Sequence, residues 1–193
     1  MNDRAPAPGG LALVQALVNT LDLESGADAL DTAEGRGRFS LTAGEVAGAR
    51  ELREALRVAC LAHAGHGPHA GAPAAGLSRL LAGAPLLVTV TEADGSASLA
   101  PAEPSALVSR VAAAIAEGVA TGTWERLKAC EAPDCHWAYY DRSPAGRSRW
   151  CDMGVCGARA KMRAYRARKG AGEMQGNRAG GRERPVRRNR DAG

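Results

Sequence analysis

Four of the five cysteines fall into two pairs of identical spacing: Cys130 with Cys135, then, after fifteen intervening residues, Cys151 with Cys156. Each pair encloses a turn-forming residue, Pro133 in the first and Gly154 in the second, so two sulfurs can converge from each side on one point. Four thiolates suit a tetrahedral zinc ion, one per chain, with an iron–sulfur cluster as the competing occupant. A shell closed by four protein ligands has no position for water, so the expected site is structural and not catalytic. His136, directly after Cys135, is an alternative ligand or a neighbour of the shell. A segment of about 45 residues buries too little apolar surface to offset its chain entropy. Structural zinc contributes on the order of 10–16 kcal/mol in finger peptides, which is the scale of help such a segment needs.

What surrounds the cysteines differs from what precedes them. Phe39 is the only aromatic residue before residue 124, whereas Trp124, Trp137, Tyr139, Tyr140, Trp150 and Tyr165 follow. Residues 1–123 hold 8 Lys/Arg against 13 Asp/Glu, net −5, and residues 124–193 hold 17 against 8, net +9. An acidic body with a basic end implies a polyanionic partner for that end, nucleic acid before membrane. The apolar run Leu11 to Leu23 is interrupted by Gln15, Asn19, Thr20 and Asp22 and lacks the basic flank of a signal peptide. The expected location is therefore cytoplasmic, where reduced thiols serve as metal ligands.

In the first part, Leu13, Ala16, Leu17 and Leu21 recur at helical spacing and predict a helix over about 11–23. A loop over 24–41 is expected to end at Thr42, which with Glu45 forms a capping box for a long helix whose inner face is Ala49, Leu52, Leu56, Ala59, Cys60 and His63. Cys60 on that face reads as a buried, inert thiol. His63, His66 and His69 recur every three residues at the start of a Gly/Pro-rich stretch, which reads as a solvated loop. Two β-prone runs, 86–91 and 97–100, flank Asp94-Gly95 and predict a hairpin. Pro104 opens another helix, with Val108, Val111, Ile115 and Val119 inward.

After Cys156 the chain is rich in Ala and Arg through Lys169, a strong helix candidate. Ala158, Met162 and Tyr165 form one stripe, expected to dock on the metal module, and Arg159, Arg163 and Arg166 form another, expected to meet phosphate. Lys161, Arg168 and Lys169 on the same helix and Arg142, Arg147 and Arg149 between the cysteine pairs complete the candidate nucleic-acid contacts. Trp137 and Tyr139 alternate onto one face and serve either as a small aromatic core or as platforms for unpaired bases. Residues 170–193 read as a Gly-rich linker and a disordered basic arm.

Arg126-Leu-Lys-Ala-Cys130, Pro133-Asp-Cys135, Trp137, Asp141-Arg-Ser143, Arg149-Trp-Cys151 and Cys156-Gly-Ala-Arg159-Ala-Lys161 resemble the bacterial CGNR zinc-finger proteins. Leu17-Val-Asn-Thr-Leu-Asp22 and Asp94-Gly95 resemble the N-terminal ABATE domain that accompanies that finger. The resemblance implies Cys130, Cys135, Cys151 and Cys156 as zinc ligands, DNA binding by the finger and a role in stress-induced transcription. The naming motif departs at Ala158, where the family has Asn, so any contact made through that Asn is missing here.

The expected fold is α+β and mainly helical: a helical sensor or dimerisation domain with a β-hairpin at 1–122, a four-cysteine zinc module ending in a basic helix at 124–169, and the tail. The expected function is a zinc-dependent regulator that binds duplex DNA, with no enzyme activity, since no phosphate loop, nucleophile pair or open metal site is apparent. The reading admits a homodimer and a small-molecule signal at the first domain. A zinc-stabilised protein-interaction module and a single-stranded RNA binder are the rival readings.

Overall fold

A computed structural model of the chain describes residues 5–65 and 75–179. His66, His69 and most of the basic arm lie outside the described residues. The element order is α1 (Leu11–Val18), α2 (Ala33–Gly37), α3 (Val46–His63), α4 (Ala75–Leu81), a hairpin β1 (Leu86–Val90) and β2 (Ala97–Pro101), α5 (Leu107–Ala120), a second hairpin β3 (Leu127–Ala129) and β4 (Ala138–Tyr140), and α6 (Ala158–Ala179). Mixed α+β with two antiparallel hairpins agrees with the expected class. Among the described residues no helix is long and apolar enough to cross a membrane.

α1 is shorter than its apolar run, and its buried face is Leu11, Val14, Leu17 and Val18. Ala16, expected inward, is exposed. At the helix end the Thr20 hydroxyl bonds back locally, donating to the Leu17 carbonyl (2.8 Å), while the Asn19 side chain turns toward β4. Residues 24–41 are not all loop. Asp28 and Thr32 each cap a short helical turn, accepting from the N–H groups of Leu30 and Gly35 at 3.0 Å. Gly35 has no substitute there, since a Cβ would lie 1.9 Å from the Ala29 carbonyl oxygen.

The Glu45 carboxylate accepts from the Thr42 N–H (2.8 Å), so the expected box stands at the entrance to α3. Ala49, Leu52, Leu56 and Cys60 are buried on α3 as read from the sequence. Arg53 and Arg57 are buried as well, which no apolar pattern announces. Arg53 pairs with Asp28 (2.8 Å), and Arg57 donates to the Val18 carbonyl at the end of α1 (3.0 Å). α5 begins at Leu107, three residues after Pro104, and Val119 is exposed instead of inward because the buried face runs through Leu107, Val111, Ala114 and Gly118, and the next residue lies about 100° around the helix. The β1–β2 register pairs Val88 with Leu99 and Val90 with Ala97 about the Asp94-Gly95 turn.

The boundary expected near residue 123 does not divide the core. Leu127, Ala129, Ala138 and Tyr140 belong to the same buried cluster as Leu11, Leu17, Leu56 and Val111. Polar contacts seal that joint. Asn19 acts as one rung of a strand beside β4, donating to the Ala138 carbonyl (2.9 Å) and accepting from its N–H (2.7 Å). His63 Nδ1 lies 2.8 Å from the Leu127 carbonyl, so this nitrogen carries the proton, and burial lowers the pKa of the ring.

Replacing Asn19 by Ala takes that partner from the N–H of the buried Ala138 and leaves its carbonyl with the longer Gln15 Nε2 bond (3.3 Å). We expect a loss of about 2 kcal/mol in urea unfolding of the metal-loaded protein. A change below about 0.5 kcal/mol would mean the clamp is dispensable.

Candidate metal centre

β3 ends where the first cysteine pair begins. Cys130 donates its N–H to the Trp137 carbonyl (2.9 Å), closing the loop that carries Cys135 back, and Cys135 and His136 both donate to the Ala132 carbonyl (3.0 and 3.2 Å). His136 takes a left-handed backbone (φ 47°) as the chain leaves this turn, and its sequence neighbour Cys135 supplies the sulfur. The second pair is set by Asp152, whose carboxylate accepts from the N–H groups of Gly154 (2.7 Å) and Val155 (3.0 Å) and starts the wide turn Met153–Gly157 that returns Cys156. Gly157 is hemmed in: a Cβ would sit 3.0 Å from the Met153 sulfur and 3.1 Å from the Trp150 ring. The Glu131 N–H donates to the Arg149 carbonyl (3.1 Å) and ties the two arms together.

These turns bring Cys130, Cys135, Cys151 and Cys156 together with all four Sγ atoms within 4.8 Å of one another. A zinc–sulfur bond of about 2.3 Å in a tetrahedron requires sulfurs about 3.8 Å apart. Cys135 and Cys151 are 3.6 Å apart and Cys151 and Cys156 are 3.7 Å apart, so the donor set fits that ion. Cys130, Cys151 and Cys156 are buried and Cys135 is half-buried. Four thiols this close cannot all ionise unaided. Hydrogen bonds from Cys135 and Cys151 lower the Cys130 pKa, while the bond to Cys130 raises Cys135 and burial raises Cys156. A divalent cation reverses the balance by favouring thiolate at every position.

Tyr139 is fully buried against the cluster, with Trp137 and Trp150 partly covering it. This is the small aromatic core, and the Tyr139 hydroxyl is spent on the Ser148 carbonyl (2.6 Å). The loop between the pairs hangs on a residue that its spacing alone does not mark as a hub. Asp141, with no exposed surface, accepts from Lys128 Nζ (3.1 Å) and from the N–H groups of Ser143 (3.0 Å) and Ser148 (2.9 Å). Burial alone would raise its pKa, but the Ser143, Ser148 and Lys128 bonds hold it well below the carboxylate range. The Asp-Arg-Ser run, able to form an Asx turn, was the available signal.

The candidate nucleic-acid contacts separate into two groups. Arg142 donates to the carbonyls of Ala5 and Pro6 and lies over the Tyr140 ring, and Arg149 forms a two-pronged pair with Glu131 and stacks on Trp150. Both hold structure. Arg147 is exposed, as are Arg159, Lys161, Arg163, Arg166, Arg168 and Lys169 on α6. Arg159 meets Glu24 of the first part at 3.1 Å. The expected docking stripe does not dock: Ala158, Met162 and Tyr165 are exposed, and so is every residue from Lys161 to Lys169, on all sides of α6 as it leaves the centre. Its backbone continues ten residues beyond Lys169 to Ala179, since an established helix gains a hydrogen bond per added residue and Ala171, Glu173, Met174 and Gln175 support it.

Residues 126–169 match the CGNR zinc finger family model. No curated protein matches the chain.

The geometry predicts one zinc per chain by elemental analysis, with an absorption-edge spectrum of four sulfurs and no oxygen. Because binding displaces protons from thiols whose pKa values are raised in the metal-free cluster, acid should release the metal, and affinity should rise with pH until the thiols are ionised without it. Cys151→Ser should abolish stoichiometric zinc; retention of a full equivalent would rule out the four-sulfur shell.

Proposed function

We propose that this protein is a zinc-dependent transcription regulator that binds duplex DNA through α6 and its surroundings. The observation that carries the reading is the helix itself. From Ala158 to Lys169 it holds six cations and no acid, every one of those cations is exposed, and its origin is fixed at a four-cysteine centre. Four thiolates around Zn²⁺ carry a net −2, placed at the helix N-terminus where the dipole favours negative charge, so the metal anchors the helix without cancelling its basic flank.

Phosphate is the counterpart of such a surface. Arg159, Arg163 and Arg166 recur along one side at helical spacing, and guanidinium groups bind phosphate in two-pronged fashion. Single-stranded RNA is less well matched, because Tyr139 is buried and Trp137 and Trp150 are partly covered, so these three aromatics are committed to the cysteine cluster and a lone exposed Tyr165 makes no stacking row. The acidic first part fits a sensor or dimerisation role of the ABATE kind, answering a stress signal in the cytoplasm, and it reaches the finger through Glu24 at Arg159 as well as through the shared core. Among the described residues, no open metal position or activated nucleophile points to an enzyme.

Replacing Arg159, Arg163 and Arg166 together by Ala should lower the slope of log affinity against log salt on genomic duplex DNA by about 2 to 3. Helix content and zinc content should stay unchanged, since Ala is the better helix former and none of the three is a ligand. If affinity and slope both stay at wild-type values with the zinc intact, a protein-interaction module becomes the better reading.

A further inference from the structure

Resting on the DNA-binding reading above, we propose that α6 enters the major groove of B-form DNA lengthwise, with the row Val155, Ala158, Met162 and Tyr165 against the base edges and a basic rim on each strand's phosphates. The row is open. Val155 is 47% exposed, Met162 50% and Tyr165 55%, although the sequence pattern alone would have buried the last two.

The placement of charge around the helix points to a trough. At about 100° per residue, Arg159, Arg163 and Arg166 lie roughly 80–140° to one side of Ala158, and Lys161 and Arg168 lie roughly 60–80° to the other. Met162 and Tyr165 fall between them, Lys169 follows on the same line one turn past Tyr165, and Ala160, Ala164 and Ala167 make up the opposite side. A helix that merely lay across one phosphate backbone would use a single cationic rim. An apolar midline from Ala158 to Tyr165 between two such rims, ending in a cation at Lys169, matches a channel with negative walls and a less polar floor.

The B-DNA major groove, about 12 Å wide, admits a helix about 10–12 Å across and presents thymine methyl groups on its floor. Val155, Met162 and the Tyr165 ring are side chains suited to those methyls, whereas they can do little for phosphate. The A-form major groove is deep and too narrow for a helix, so duplex RNA should be excluded. Arg159 leaves its exposed pair with Glu24 for a phosphate on the same rim.

The test uses the full, zinc-loaded chain. Selection from a random duplex pool defines the preferred site, and binding is then measured across salt for wild type, Met162→Gln and the double variant Lys161→Ala with Arg168→Ala. The double variant should reduce the salt slope by about 2, which a one-sided contact would leave unchanged. Met162→Gln should bind the selected site about 5- to 10-fold more weakly and select a different base at one or two adjacent positions, with its salt slope retained. Duplex RNA of the same sequence should bind at least about 30-fold more weakly than the DNA. Three results overturn groove entry: a wild-type slope in the double variant, an unchanged selected site for Met162→Gln, or equal binding to duplex RNA. Absence of any duplex binding by the wild type would instead overturn the DNA-binding reading. Tighter binding to vesicles of anionic lipid than to the selected DNA would assign the same row to a membrane surface. Zinc content and circular dichroism show that each variant is folded, and exposed positions on α6 carry little risk of unfolding.

Discussion

The requirement that four sulfurs lie within 4.8 Å of one another sets the geometry of everything after residue 126. It closes two loops, brings Glu131 against Arg149, and starts α6 from a fixed point. It also shapes the β3–β4 hairpin, whose strands are only three residues each. A hairpin of that length is not stable in water alone. Here it is held from both sides, by the cysteine cluster and Tyr139 on one and by the helical core, through Leu127, Ala129, Ala138 and Tyr140, on the other. The cysteine cluster and the helical core are thereby joined through one short piece of sheet.

The polar residues of that joint matter because they replace hydrogen bonds a larger sheet would make. Asn19 fills the place of a neighbouring strand for Ala138, Arg57 satisfies the Val18 carbonyl at the end of α1, and His63 satisfies Leu127. Without them, backbone groups at the helix–hairpin boundary would be buried unpaired. The buried ion pairs follow the same logic. Asp28 with Arg53 and Asp141 with Lys128 each add hydrogen bonds to backbone or neighbouring side chains, which makes a buried charge tolerable.

Cations of the same type divide by their surroundings. Arg53 and Arg57 organise the core, Arg142 and Arg149 lash the inter-cysteine loop to carbonyls, a carboxylate and rings, and the cations of α6 face solvent. Net charge by segment cannot make this distinction, because it counts a buried guanidinium and a projecting one alike. Among the described residues, the exposed cations after position 124 that are not bound to carbonyls, carboxylates or rings are therefore fewer than the full set of basic residues, and they are concentrated on one helix.

Much was legible from residue order because it depends on local rules. Paired cysteines around turn residues, the Asp-Gly hairpin, the Thr42–Glu45 cap and the inward face of α3 all follow from spacing and short-range hydrogen bonding, and each is present. The burial of Arg53 and Arg57 and the continuity of the core across residue 123 were not legible, since each depends on partners far away in the chain, while at Asp141 only the local turn was legible and not its full burial or its pairing with Lys128. Asn19 is 119 residues from Ala138, and no window of sequence contains both. The stripe of Ala158, Met162 and Tyr165 shows the same limit from the other direction: periodicity establishes that these residues share a face, but only the direction in which α6 leaves the centre decides whether that face meets protein or solvent. Residue types and their spacing determined the chemistry of this protein, while the packing of distant segments decided which side chains remain free to use it.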